Sequence, residues 1–391
     1  MSPSAPSPPP APSGAAVRPS PAPDVLVVGG GLVGLFCADA LERRGARVEL
    51  WERGGSFGAE SGAASHASAG MLAPLAEVPD DPDFLAVCLR ARDLWRDAAR
   101  QLADRSGIDL DYDDDGALLV DHVDAPATAF EAAALLAGEP ILRLDDREAR
   151  DLVPDLAPDA GPFLFLPGEH RVDNRRVLEA LAKLIPRPGV RVRFRCALER
   201  LTPGPTGVRA ESAEHSTEAG AVLIAAGAWS SRVRGLATPP IHPVKGQMMR
   251  FSHVDWPLGG CVRSGHFYTA RRRGGEVLLG ATVEPEAGFD ARVTGGGLES
   301  LTGFARSVLP GLLNRPVVET WAGLRPGSPD GRPHLGPLDD RVWVASGHSR
   351  NGVLLAPWTA NTVADWLLDG AVPDEPGVRL FAPERSLLVE P

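Results

Sequence analysis

Asp24–Gly34, DVLVVGGGLVG, reads as a buried strand running into a glycine turn and then a helix. Val25, Leu26, Val27 and Val28 form a short continuous apolar run, the pattern of a parallel strand covered on both faces. Gly29, Gly31 and Gly34 follow as G-x-G-x-x-G. The first glycine permits a tight turn, the second lets backbone N–H groups approach a pyrophosphate, and the third lets the helix pack on the strand. The spacing predicts a helix from Leu32 to Arg44 with Gly45 as its C-cap, then a second strand from Arg47 to Trp51 leading into Glu52. That acid stands roughly 20 residues past the glycines, where a carboxylate accepts hydrogen bonds from a ribose 2'-OH. Strand, glycines, helix, second strand and acid in this order predict a dinucleotide site, against the alternative of a packed βαβ unit without ligand. FAD and NAD stay equally open here, because both put a pyrophosphate on the same helix N-terminus.

The chain has 391 residues, 43% hydrophobic and 23% charged, enough for a sizeable core and two domains. A formal net charge of -11 argues against a nucleic-acid partner, whose phosphates need a basic footprint. Cys37, Cys88, Cys196 and Cys261 are far apart and form no C-x-x-C pair, which fits buried thiols in a reducing cytoplasm. Residues 1–23 are almost entirely Pro, Ser and Ala with one charge, Arg18, and read as a disordered extension rather than a signal or transit peptide. No run has enough uninterrupted apolar residues to span a bilayer.

Beyond Glu52, the small residues of Ala64–Pro74, ASHASAGMLAP, imply a backbone passing very close to something flat or charged. Helices are expected over Phe84–Ser106, Pro126–Leu136, Asp145–Leu152, Asp173–Leu184 and Leu298–Leu309. Strands are expected at Tyr112–Val120, Phe163–Leu166, Val190–Phe194, Ala221–Ala225, Met248–Ser252, His266–Ala270, Glu276–Val283 and Val342–Ala345. The strand at Ala221 ends in Ala226-Gly227-Ala228-Trp229, which looks like a second cofactor-contacting turn. Gly347–Gly352 opens a last helix through Leu368, and a glycine-rich turn at a helix N-terminus stabilises anions.

Six stretches together resemble the D-amino-acid oxidase superfamily of FAD enzymes, and within it the glycine oxidases of thiamine biosynthesis. They are VVGGGLVG at Val27–Gly34, ASHASAGMLAP at Ala64–Pro74, PVKGQ at Pro243–Gln247, GATVEPEAGFD at Gly280–Asp290, WAGLRP at Trp321–Pro326 and GHSRNGVLLAP at Gly347–Pro357. The resemblance favours FAD over NAD and implies an α/β architecture, a Rossmann-like FAD-binding domain with an inserted α+β substrate domain on an antiparallel sheet. The division expected is 24–80, 165–240 and 318–391 for FAD, with 81–164 and 241–317 for substrate. Gly29, Gly31, Leu32, Val33, Gly34, Glu52, Ser65, Ala69, Gly70, Met71, Ala197, Gly227, Trp229, His348, Arg350, Asn351 and Gly352 are the expected FAD contacts.

The resemblance also implies a small amino acid stacked near the flavin, with Arg325 and Tyr268 holding its carboxylate and Met71 beside it. Arg presents two parallel N–H donors to a carboxylate, so the pairing fixes orientation as well as affinity. Hydride transfer from Cα to the flavin would give an imine, and O2 would reoxidise the flavin to give H2O2, with glycine, sarcosine and small D-amino acids as substrates. The alternative is a D-amino-acid dehydrogenase passing electrons to a quinone. Departures from the family are Val283, where some relatives have methionine at the pocket floor, and His66, four residues before Gly70 rather than three, which points to non-covalent FAD. Lys245 is read either as an aid to O2 or as a surface lysine. His266 is read as a hydrogen-bonding neighbour of the site or a plain strand residue. Arg271–Arg273 is read as solvated surface or a contact with a second subunit.

Overall fold

The computed structural model describes residues 22–78, 80–120, 127–370, 372–373 and 376–387. All but the last two residues of the proline-rich tail lie outside that range. A six-stranded sheet runs in the order His334–Pro337, Val342–Ser346, Ala221–Ile224, Val25–Val28, Val48–Trp51, Val190–Arg193. Its strands are parallel except for the edge strand His334–Pro337. Both faces of the central strand are buried. Val25 and Val27 pack with the helices Leu32–Arg43, Pro82–Ser106, Asn174–Leu184 and Gly352–Asp369. Leu26 and Val28 pack under a three-stranded antiparallel sheet, Arg200–Pro203, Val208–Glu211 and Ser216–Ala219. That continuous burial is why the strand reads as an unbroken apolar run.

The long helix Pro82–Ser106 starts at Asp81, whose carboxylate accepts from Phe84 N at 3.1 Å, and stops at Gly107 in the left-handed region. It buries Trp95 completely, and the indole N–H donates to the carbonyl of Leu354 at 2.9 Å. Truncating Trp95 to Ala removes that packing at a cost of about 3–5 kcal/mol.

The second sheet has eight strands, ordered Val317–Gly327, His242–Phe251, Val277–Gly280, Phe267–Arg271, Cys261–Ser264, Ala117–Val120, Phe163–Leu166, Leu142–Leu144. It is antiparallel throughout except where Cys261–Ser264 runs alongside Ala117–Val120. Helix Gly295–Val308 covers one face through Leu301, Phe304 and Ala305. Ala69 and Met71 meet the other face at Met248, Tyr268 and Ala270.

Sheet membership departs from the sequence division in two places. Val317–Gly327 and Phe163–Leu166 belong to the eight-stranded sheet, although 318 onward and 165 onward were grouped with FAD. Helix Pro82–Ser106 was grouped with substrate, yet its Phe84, Val87 and Trp95 share a core with Val25 and Leu50. The strand expected at Met248–Ser252 spans His242–Phe251 and pairs with Val317–Gly327 along its length. All four cysteines are buried and unpaired.

Candidate active site

A cavity of about 500 Å³ takes its walls from both sheets. One side carries a run of main chain, Gly29, Gly30 and Gly31, the turn Ala226-Gly227-Ala228, and Gly352, flanked by the side chains of Glu52, Arg53, Ser65 and Trp229. Gly29 sits at φ +109°, and a Cβ there would lie 2.4 Å from the carbonyl oxygen of Ala225. Gly34 does not face the cavity; a Cβ there would come within 1.9 Å of the Gly29 carbonyl oxygen, so its absence lets the helix seat against the turn. Helices Leu32–Arg43 and Gly352–Asp369 both start without a cap from their own N-cap side chains, and Gly31, Val33, Gly352 and Val353 line the cavity, which turns two positive dipole ends toward it.

Glu52, 4% exposed, accepts from Gly30 N at 2.7 Å and from Gly54 N at 2.6 Å. A carboxylate offers roughly four acceptor sites, so ribose hydroxyls still find lone pairs here. Ser65 Oγ accepts from Leu32 N at 2.9 Å, drawing the loop Ala64–Ser68 over the helix start. Asn174 fastens that loop from behind, donating to the Ser65 carbonyl at 2.7 Å. The glycine cradle, the two helix N-terminal dipole ends and Glu52 fit a dinucleotide diphosphate and its ribose.

On the other side, Arg325 reaches the cavity from Val317–Gly327. Its Nη1 donates to the carbonyls of Thr282 at 3.1 Å and Lys245 at 3.4 Å. Gly246 makes room: a Cβ there would lie 2.4 Å from Nη1. Among the described residues no carboxylate stands within ion-pair distance of Arg325. Burial presses its pKa below the usual guanidinium value, and neighbouring Tyr268 and Glu77 work in the other direction. Tyr268 is 5% exposed, its hydroxyl donating to Met248 Sδ at 3.6 Å, with the Arg350 guanidinium carbon 5.9 Å above its ring. Burial likewise pushes His348 down to about 3, so it is neutral, and its Nε2 lies 3.1 Å from Thr359 Oγ1.

Of the residues expected from sequence, Gly29, Gly31, Val33, Glu52, Ser65, Ala197, Gly227, Trp229, Arg325, His348, Arg350 and Gly352 line the cavity. Leu32, Gly34, Ala69, Gly70, Met71, Tyr268 and Asn351 stand behind its wall. Gly70, at φ +77°, serves the chain itself, since a Cβ there would meet the Val172 carbonyl oxygen at 1.9 Å. Met71 pairs its backbone with Arg171 and packs into the sheet beyond. Gly30, Arg53, Ser61, Ala63, Ser68, Arg232 and Ser346 also line the cavity and were not anticipated. Arg53 lies over the Trp229 ring, 3.4 Å from its centroid, a contact with no local sequence signal.

Several readings need correcting. Lys245 is buried, 3% exposed, with Nζ 3.0 Å from Glu284 Oε2, so it is no surface lysine. Arg272 is buried too, donating to Asn174 Oδ1 at 2.9 Å and the Val172 carbonyl at 3.2 Å, and of the basic triplet Arg273 alone is well exposed, beside Asp109. Its neighbours turn the apparent solvated run into a strut between the loop after Phe267–Arg271 and the start of Asn174–Leu184. Val283 is half exposed and lines a separate cavity with His266, rather than forming the floor of this one. His66 stays out of the wall and sits near Arg175 and Glu319.

The profile of the FAD dependent oxidoreductase (DAO) family matches residues 24–366. A protein named glycine oxidase from Pseudomonas putida is 35% identical over 360 residues, covering 89% of this chain and 95% of that one. A bifunctional ThiO/ThiG protein from Synechocystis sp. is 32% identical over 93% of this chain but 54% of its own length. The crystal structure of glycine oxidase from Geobacillus kaustophilus superposes with a TM-score of 0.85 at 30% identity, covering 92% and 98% of the two chains.

Proposed function

The chain belongs to the FAD dependent oxidoreductase family, and from that premise we propose that it oxidises glycine, and also sarcosine or small D-amino acids, to the imine with release of H2O2. FAD held by the glycine turn Gly29–Gly31, Glu52 and the turn Ala226–Ala228 would supply the redox chemistry, a two-electron oxidation of the substrate coupled to reduction of O2. The chain's own residues bind and orient. Arg325 offers the substrate carboxylate a guanidinium that no protein carboxylate has claimed among the described residues, and this observation carries the proposal. Main-chain carbonyls of Lys245 and Thr282 hold Nη1, which fixes the plane of the fork before substrate arrives. Tyr268, buried beside it, adds an O–H donor once its weak bond to Met248 is exchanged. The N-terminal dipole ends of Leu32–Arg43 and Gly352–Asp369 favour negative charge in the cavity.

Relatives named glycine oxidase, and one named for ThiO/ThiG, support the amino-acid assignment and a role in supplying imine for the thiazole of thiamine. No described helix is long and apolar enough to cross a membrane, and a cytoplasmic site of action is part of the proposal. His66 outside the cavity wall supports non-covalent FAD: acid precipitation should leave flavin in the supernatant, and flavin in the pellet would contradict it. A peroxide-coupled assay with glycine, sarcosine and D-alanine tests the reaction. Peroxide formed in step with substrate loss is the expected result; turnover with an artificial dye and no peroxide would make the enzyme a dehydrogenase.

A further inference from the structure

Glu77 is a buried acid to which the reaction above gives no task. It ends the short helix Pro74–Glu77, and its side chain is 3% exposed. Arg263 Nη1 donates to Oε1 at 2.6 Å, Arg350 Nη2 donates to Oε1 at 3.0 Å, and Arg350 Nε donates to Oε2. Burial alone would keep this carboxyl protonated, but Arg263 and Arg350 overrule it and hold its pKa down to about 2.

Arg350 lines the same cavity as Arg325, and both stand beside Tyr268. Their donor inventories differ. Arg350 spends its Nε/Nη2 edge, a pair of parallel N–H groups suited to a carboxylate, on Glu77. Arg325 spends Nη1 on main-chain carbonyls, and among the described residues no carboxylate engages the rest. Arg53 and Arg232 also line the cavity, and their guanidiniums lie over the Trp229 and Phe289 rings.

Resting on the amino-acid reading above, we propose that Glu77 sets the charge class of the substrate: by occupying Arg350 it leaves one carboxylate clamp, at Arg325, and excludes amino acids with a second anionic group. A second carboxylate would have to displace Glu77 from a buried pair or sit against its charge, and an uncompensated charge at such a site is strongly unfavourable. Selection here works by repulsion as much as by attraction.

The test titrates the purified holoenzyme with acetate and with malonate at neutral pH and reads each dissociation constant from the change in the flavin absorbance spectrum. The wild type should bind acetate at least ten-fold more tightly than malonate. Glu77→Gln should narrow or reverse that ratio by ten-fold or more, and Glu77→Gln/Arg350→Gln should cancel the gain, which a merely structural ion pair would not do. Equal or tighter malonate binding by the wild type overturns the assignment, even if Glu77→Gln fails to fold. So does an unchanged ratio in a Glu77→Gln protein with full flavin content. A holoenzyme that binds neither anion refutes the Arg325 clamp itself and the amino-acid reading with it.

Discussion

The six-stranded sheet lines the cavity with main chain, Gly29 to Gly31 and Ala226 to Ala228, whereas the eight-stranded sheet brings a long side chain, Arg325, set by a glycine and two carbonyls on neighbouring segments. In the proposed reading the first kind of wall holds the diphosphate and ribose of the cofactor, and the second kind selects the substrate. The division predicts that lesions on the first side remove the cofactor, and lesions on the second leave the cofactor in place and remove the substrate.

Among variants that disturb the walls without removing a charged side chain of the cavity, the largest expected effect is at Gly34→Ala. Its new Cβ would fall 1.9 Å from the Gly29 carbonyl oxygen, a main-chain atom that cannot swing aside. Overpacking of this kind costs about 1–3 kcal/mol or more, here spent on the turn that shapes the cradle. Flavin-to-protein ratio after gel filtration should drop below about a tenth of wild type, while full flavin content would break the comparison on its nucleotide side.

A smaller effect belongs to Gly246→Ala, whose Cβ would meet Arg325 Nη1 at 2.4 Å. The obstacle is the end of a flexible side chain, so the guanidinium shifts rather than the sheet. Misplacing a positioning group by an ångström raises KM for glycine by about ten-fold or more, with flavin content unchanged. Loss of flavin in this variant would mean that the two walls are not separable.

The smallest effect lies at the seam beside Glu77. Glu169, 2% exposed, accepts from Leu75 N at 2.9 Å, and burial pushes its carboxyl up to about 8. A pKa raised in the folded state means that the folded protein holds a proton the unfolded chain releases. Its contribution is complete below the ordinary carboxyl value of 4.5 and is lost as pH rises through about 8. Thermal unfolding measured across that window should show wild-type Tm falling more steeply than that of Glu169→Gln; parallel slopes would show that Glu169 titrates normally.

The main-chain wall was legible in the sequence because glycine spacing and an unbroken Val-Leu-Val-Val run are local consequences of what the backbone must do there. Arg325 was found only through resemblance across six stretches. Nothing local to WAGLRP says that its carbonyl partners are Lys245 and Thr282, which sheet pairing brings together. For Arg272 and Lys245 the solvated alternative fails because a charged residue looks solvated in sequence, while long-range partners, Asn174 and Glu284, accompany them into the interior. Glu77 left a faint signal: a lone acid inside the apolar run Met71–Val78 is exposed to water only if the run is. The small sheet of Arg200–Pro203, Val208–Glu211 and Ser216–Ala219 was missed because its strands are four residues each and mostly polar.

The most direct test of the central claim is anaerobic mixing of glycine with wild-type and Arg325→Ala holoenzyme at equal flavin content, following bleaching of the flavin band. Leaving a substrate carboxylate without its charged partner costs about 3–5 kcal/mol, so the efficiency of reduction should fall roughly 10³-fold while bound flavin is unchanged. Bleaching of Arg325→Ala at wild-type efficiency would contradict the account.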